Sequence, residues 1–198
     1  MSCMAAIVAG NSDMTFNDCT AECGSYFALT HCVNGWQEEV ADITVTGGDI
    51  HTKKECVLVK SHNMMLDLCD VNISSDKGVL VHTIVNDDPC ATKVTKDVFG
   101  VNVVMTDMDV KGDLIHEDTT REMWVMLNST QLTGAIQHAN VAFDKGSKWV
   151  ATADSDVVFV TDVEPAQIDA PAGVTITAKG AQAGEFALAG GGKLVVTA

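Results

Sequence analysis

The chain has 198 residues, 46% hydrophobic and only 20% charged, with 12 basic against 27 acidic side chains and a net charge of −15. So much apolar material with so little charge excludes a disordered chain. The negative balance excludes nucleic acid and anionic lipid surfaces as partners, because both repel it.

From the N-terminus, residues 1–10 are mildly apolar but short and lack a basic n-region, so no signal peptide is expected. Residues 1–12 are instead a candidate N-terminal cap. No run approaches the roughly 18 apolar residues of a membrane span. Short alternating runs then recur along the whole chain. Ile43 and Val45 alternate with Thr44 and Thr46, and Val71 and Ile73 with Asp70, Asn72 and Ser74. Met108 and Val110 alternate with Asp107 and Asp109; Val141 and Phe143 follow, then Val174 and Ile176 with Thr175 and Thr177. Period-two alternation sends one face to a core and the other to water. Many short strands with almost no helical periodicity predict an all-β sandwich, barrel or solenoid.

A loose phrase repeats between the strands: a polar break, then a glycine leading into apolar residues. It occurs at Gly48, Gly78, Gly112 and Gly134, spaced 30, 34 and 22 residues apart. Glycine permits a tight corner. A sandwich calls for Asn-Gly or Asp-Gly hairpin turns, yet Asn34-Gly35 is the sole instance of either. Strands that pair with the next turn of a coil need no such hairpin. This favours one domain over residues 1–198, a single-stranded right-handed parallel β-helix of about seven to nine coils. At ~4.8 Å per rung its length is ~35–45 Å.

Chemistry-bearing residues are sparse. The seven cysteines (Cys3, Cys19, Cys23, Cys32, Cys56, Cys69, Cys90) lie in the first half and form no paired CxxC hooks. They read as small buried hydrophobes, with a metal site or a Cys19–Cys32 disulfide as alternatives. Asp107, Asp109 and Asp113 would share one outward face if they lay on one strand, and are candidate calcium ligands if a neighbouring rung adds oxygens. Ordinary solvation is the competing reading, and the same holds for Asp154, Asp156 and Asp162. Asp87 and Asp88 resemble the paired aspartates of polygalacturonases, but that family's Gly-His-Gly and Arg-x-Lys segments are missing and Arg121 is the sole arginine. The histidines (His31, His51, His62, His82, His116, His138) show no metal-ligand spacing and are expected to stand alone. No serine elbow, phosphate loop or cofactor motif is found. Asn72 and Asn128 begin glycosylation sequons. Lys193, Leu194, Val195, Val196 and Thr197 form an apolar terminal strand, a candidate edge for self-association.

The second half carries a resemblance. The stretches from Leu127 to Ile136 and from Gly146 to Ser155, and the tail from Leu188 to Leu194, are similar to phrases in large adhesin-like and autotransporter-like β-helix proteins of bacteria. The resemblance covers mainly residues 102–198. It implies a right-handed β-helix, an extracellular or cell-surface location, and a Ser-x-Trp turn whose tryptophan, here Trp149, caps or fills the core. The expected function is accordingly a non-catalytic surface-presenting adhesin-like or structural protein, with a glycan or cell-surface ligand and no cofactor. The alternatives are a self-assembling filament subunit and a β-helix that binds or cleaves polysaccharide.

Overall fold

The computed structural model describes residues 3–8, 10–32, 39–88 and 99–198. Among these the chain is all β, with one short 3-10 turn at Pro165–Gln167. No helix among them is long and apolar enough to cross a membrane, which leaves β-barrels unaddressed. The strands form a sixteen-stranded and a four-stranded sheet. Pairing is parallel except where Gly184–Ala187 lies against Lys193–Thr197, and at an isolated Pro171–Gly191 bridge.

Three ladders organise the pairing. Ladder A joins Ala5–Val8, Ala28–His31, Val57–Lys60, Val79–Ile84, Asp113–His116, the start of Ile136–Phe143, Ser155–Phe159, Thr175–Lys179 and Lys193–Thr197. Ladder B joins residues 12–17, residues 40–46, Asn63–Cys69, Val101–Thr106, Met123–Asn128 and residues 140–143. Ladder C joins residues 19–23, residues 49–52 and Asn72–Ser75. The smaller sheet then carries Asp109–Lys111, Gln131–Thr133, Lys148–Val150 and Ile168–Asp169. Partners in ladder A lie between 18 residues apart, as Ile176 and Leu194, and 34 apart, as Val79 and Asp113. Parallel neighbours need such a crossover, and here the other two ladders supply it.

Alternation in each strand turns one side chain of every pair inward. On ladder B, Val45, Leu68, Met105, Leu127 and Phe143 succeed one another in register, as do Ile43, Leu66, Val103, Val125 and Val141. All ten are buried in one apolar cluster that reaches from Ala5 to Val196. Each such side chain contributes about 1.5–3 kcal/mol by leaving water. Trp149 is 0% exposed and stacks between Leu132 and Ile168 on ladder C. Its indole N–H donates to the Gly134 carbonyl at 2.8 Å. Just before it, Ser147 donates to Asp144 at 2.6 Å, the first of several donors that hold that carboxyl below its ordinary range.

The corners have distinct chemistry. Between ladders B and C, Asp18, Gly47, Asp70, Asp107 and Ser129 occupy successive levels, and all five have positive φ. One left-handed residue turns the strand; Asp, Ser and Gly tolerate that conformation best. Between ladders C and A, Gly78, Gly112 and Gly134 each precede a ladder A strand. Gly48 does not belong with them: it lies inside Val40–Thr52, opposite Cys19 at the other corner.

Two expectations about the ends are corrected. Ala5–Val8 is itself a strand of ladder A, so this part of residues 1–12 is not a cover laid across the end. Lys193–Thr197 is not an open edge either: Thr175–Lys179 pairs with it on one side and Gly184–Ala187 on the other, with a Lys193–Glu185 ion pair at 2.8 Å. A short, charged edge strand thus finishes this end, a common protection against edge-to-edge pairing.

Gly134 gives the corner a direct test. A Cβ there would overlap the Gly112 carbonyl, whereas one on Gly78 meets nothing within 4 Å and suffers only its positive φ. Gly134→Ala is expected to cost about 3 kcal/mol or more and Gly78→Ala about 1 kcal/mol, as measured by urea unfolding; equal costs would contradict the stacked corner.

Candidate functional site

The predicted calcium ligands do not share a face. Asp107 sits in the left-handed corner, Asp109 opens a ladder C strand opposite Gln131, and Asp113 opens a ladder A strand, where its Oδ1 accepts the Ala135 N–H at 2.7 Å. Two breaks separate what the alternation suggested was one strand. Among the described residues no group of three His, Cys, Asp or Glu is placed to hold a metal ion. Cys19 and Cys32 are not joined to each other; they lie at different corners. Cys23 and Cys56 are buried, and burial pushes the Cys56 thiol up to about 11. Cys90 lies outside the described residues.

Asp87 is 91% exposed and 3.7 Å from the Lys60 ammonium. Asp88 is drawn closer, 3.3 Å from Lys60 and 3.5 Å from His31. Five of the six histidines do not stand alone, His62 being the exception. His51 meets Asp76 at 3.1 Å and His82 meets Glu117 at 3.0 Å. The Asn72 amide donates to Asp49 at 2.8 Å.

Two ionisable groupings remain. One is on the surface. Near the C-terminal end of ladder A, Gln137, Asp156 and Thr177 point outward in register, one level apart. With His138, Asp154 and Thr175 they line an open hollow of about 460 Å3. Asp154 accepts the Thr175 N–H at 2.8 Å, which fixes its carboxylate at the mouth. His138 has a positive φ and bulges out of Ile136–Phe143, where the register shifts. The hollow offers carboxylates, hydroxyls and an amide at regular spacing, a surface suited to a polyhydroxylated ligand. Asp162 does not line it.

The other grouping is inside. At the corner between ladders A and B, His62, Asn63, His116, Asp118 and Arg121 are all buried. The Arg121 guanidinium lies 3.6 Å from Asp118, donates from Nε to Asn63 at 3.2 Å, and has no partner for Nη2 among the described residues. His116 is held by the Thr83 hydroxyl on one side and the Arg121 carbonyl, at 3.0 Å, on the other. Both ring nitrogens of His62 are buried and lack partners among the described residues. Burial, then the neighbouring Arg121, then His31, push its imidazolium down to about 4. A neutral imidazole beside a buried guanidinium avoids a second unpaired charge. Nothing in the spacing of these residues reveals the grouping. The available hint was the lone arginine three residues after an aspartate, in a chain otherwise poor in positive charge.

Comparison with family models, curated proteins and solved structures found no match for this chain.

The buried histidine makes stability depend on pH. Between about pH 4 and 6.5 the unfolded chain binds a proton at residue 62 that the folded chain does not, so stability falls as pH drops through that window. The full loss is about 3 kcal/mol. His62→Leu is expected to flatten this part of a denaturation-versus-pH profile and to leave stability at pH 7 equal or higher, because it removes an unsatisfied polar group. An unchanged slope would contradict the assignment.

Proposed function

We propose that this chain is a single right-handed parallel β-helix, adhesin-like, which acts without catalysis by presenting its outer faces, and that the ladder A hollow contacts a glycan. The nine strands of ladder A support the seven to nine coils of this reading. A right-handed sense follows from the strong preference of parallel crossovers for that hand. The role and an extracellular setting are carried over from the sequence resemblance of residues 102–198 and stand as part of this proposal.

The observation that carries the functional reading is a division of labour between faces. Polar side chains stand outward one level apart, as Gln137, Asp156 and Thr177 do. The set of ionisable groups around Arg121 is instead turned inward and buried. Buried groups of this kind fix a corner; they do not meet a substrate. The outward row, at ~4.8 Å per step, presents hydrogen-bonding groups at a repeat that a chain of sugar hydroxyls can follow. Glu185 and the covered Lys193–Thr197 strand weigh against the filament alternative at this end.

A second reading, polysaccharide cleavage, is favoured by one feature: Asp154 and Asp156 line the same hollow, and glycosidases work with carboxylate pairs. One experiment separates the two. The chain is screened on a glycan array and on polyuronide substrates. The expected result is binding without turnover, weakened about tenfold by Asp156→Asn or Thr177→Val, as befits loss of one hydrogen bond to a charged or polar partner. Turnover that Asp156→Asn abolishes would replace this reading with the enzymatic one.

A further inference from the structure

The outer face of ladder B changes character along its length. Its first levels carry Asp13, Asp42, Thr44, Met65 and Asp67; its later levels carry Asn102, Val104, Trp124, Met126, Asn140 and Ala142. Trp124 is 38% exposed and Met126 46% exposed, and they stand side by side on one strand, both pointing outward. Isolated exposed apolar residues are ordinary, but a contiguous patch centred on tryptophan and methionine marks an interaction surface. It is also the stretch of this face without a carboxylate, in a chain of net charge −15.

The outward row through Trp124 has an internal symmetry. Reading in register across the levels, its neighbours on either side are Asn102 and Asn140. One level further out are Met65 and Val158. Beyond those are Asp42 and Lys179. The row is thus a chemical palindrome, with amide matched to amide, apolar to apolar and acid to base, about Trp124. A two-fold axis lying in this face, along the strand direction at the level of Trp124, carries each residue onto the position opposite its match.

We propose that ladder B is a homodimer interface, in which two copies pack face to face with their ladders running in opposite directions and Trp124 on the two-fold axis. Trp124 meets the second copy's tryptophan, an aromatic contact worth about 0.5–1.5 kcal/mol beyond its buried area. Asn102 faces the second copy's Asn140. Asp42 faces the second copy's Lys179, and the pair recurs twice by symmetry. These two ion pairs fix the direction of packing, because copies stacked with their ladders running the same way set Asp42 against Asp42. The neighbouring row agrees at Met126, which meets itself, and at Val104, which meets Ala142. It disagrees once: Asp67 falls near Val160. The Asp67 carboxyl is already pushed up, by burial first and by Asp42 second.

The size of the face sets the strength. Six steps of ~4.8 Å by two or three side-chain columns of ~7 Å give a contact of about 400–600 Å2 per copy, below the ~800 Å2 of a standard stable interface. The dimer is therefore reversible and concentration-dependent. This inference does not rest on the glycan reading, although at its last two levels the row continues onto Ser155–Phe159 and Thr175–Lys179, where Val158 and Lys179 stand two residues from Asp156 and Thr177 of the hollow.

Sedimentation velocity over about a hundredfold concentration range is the test. The wild-type chain is expected to shift from monomer to dimer and no further, because an isologous contact closes on itself. Trp124→Glu is expected to remain monomeric throughout with an unchanged melting temperature. Asp42→Lys and Lys179→Asp each weaken association severalfold; the double variant Asp42→Lys with Lys179→Asp restores it. Asp67→Asn tightens it by relieving the one mismatch. A wild-type chain that stays monomeric across the range overturns the proposal, as does a dimer that survives Trp124→Glu. A charge swap without rescue overturns the antiparallel register. A monomeric chain whose glycan-array binding is lost in Trp124→Glu would assign the face to a carbohydrate ligand instead.

Discussion

In-register parallel pairing is the constraint on which everything else here depends. Once Leu68 lies over Val45 and under Met105, each inward side chain has a fixed neighbour on both sides, and its size must suit both. The ladder also fixes the outward rows, because alternation leaves no freedom in which residue points away. A substitution is therefore felt mainly by the levels directly adjacent to it, and stability accumulates through nearest-neighbour contacts. Chemistry on the surface is then written in rows perpendicular to the chain. Residues tens of positions apart in sequence, such as Gln137, Asp156 and Thr177, become neighbours with no loop to bring them together.

Stacking works only if the chain can turn at the same place on every level, and the three corners meet this demand differently. The left-handed conformation costs an ordinary residue about 1–2 kcal/mol. The column of Asp18, Gly47, Asp70, Asp107 and Ser129 uses residues that offset part of this cost, since short polar side chains bond nearby backbone. At the glycine corner the limit is space: Gly134 sits against the Gly112 carbonyl. The Trp149 indole donates to the Gly134 carbonyl at the same corner. The third corner spends polar groups. Arg121 and Asp118 are both buried, where removing either partner strands a charge in the core, so this corner is held by mutual dependence.

Much of the architecture could be read from the residues, because alternation is local. The runs around Ile43, Val71, Val141 and Ile176 all lie in strands or directly beside them, and three of the four corner glycines are stacked as their phrase suggested. The errors arose where a left-handed residue is invisible in the pattern. Asp107 alternates with Met108, Asp109 and Val110 after it, so it looks like the start of one strand, although it is the left-handed residue at which the chain turns. The same blindness assigned Gly48 to the wrong corner. The surface hollow was legible only as separate aspartates, because its geometry depends on register between Gln137, Asp156 and Thr177. The Arg121 cluster depends on contacts over 58 residues, as between Arg121 and Asn63, for which sequence spacing carries no signal. The covering of Lys193–Thr197 by Gly184–Ala187 was missed because a four-residue strand with glycine and glutamate does not look like one.

The two outer faces relate to each other through the proposed dimer. A two-fold axis along the strand direction preserves position along each strand. The corner where ladder A meets ladder B therefore falls on the same side in both copies. Their ladder A faces then flank that side, each with its hollow lined by Asp154 and Asp156. A weak contact repeated twice on one side gains from effective concentration, since the second binding event becomes intramolecular. A single outward row of hydrogen-bonding groups on a strongly negative protein is a poor basis for tight binding to an external chain of sugars. Two such rows on one assembly need no better chemistry to hold on longer. In the proposed reading the patch around Trp124 would set how many contact sites act together, and the polar hollow what they contact.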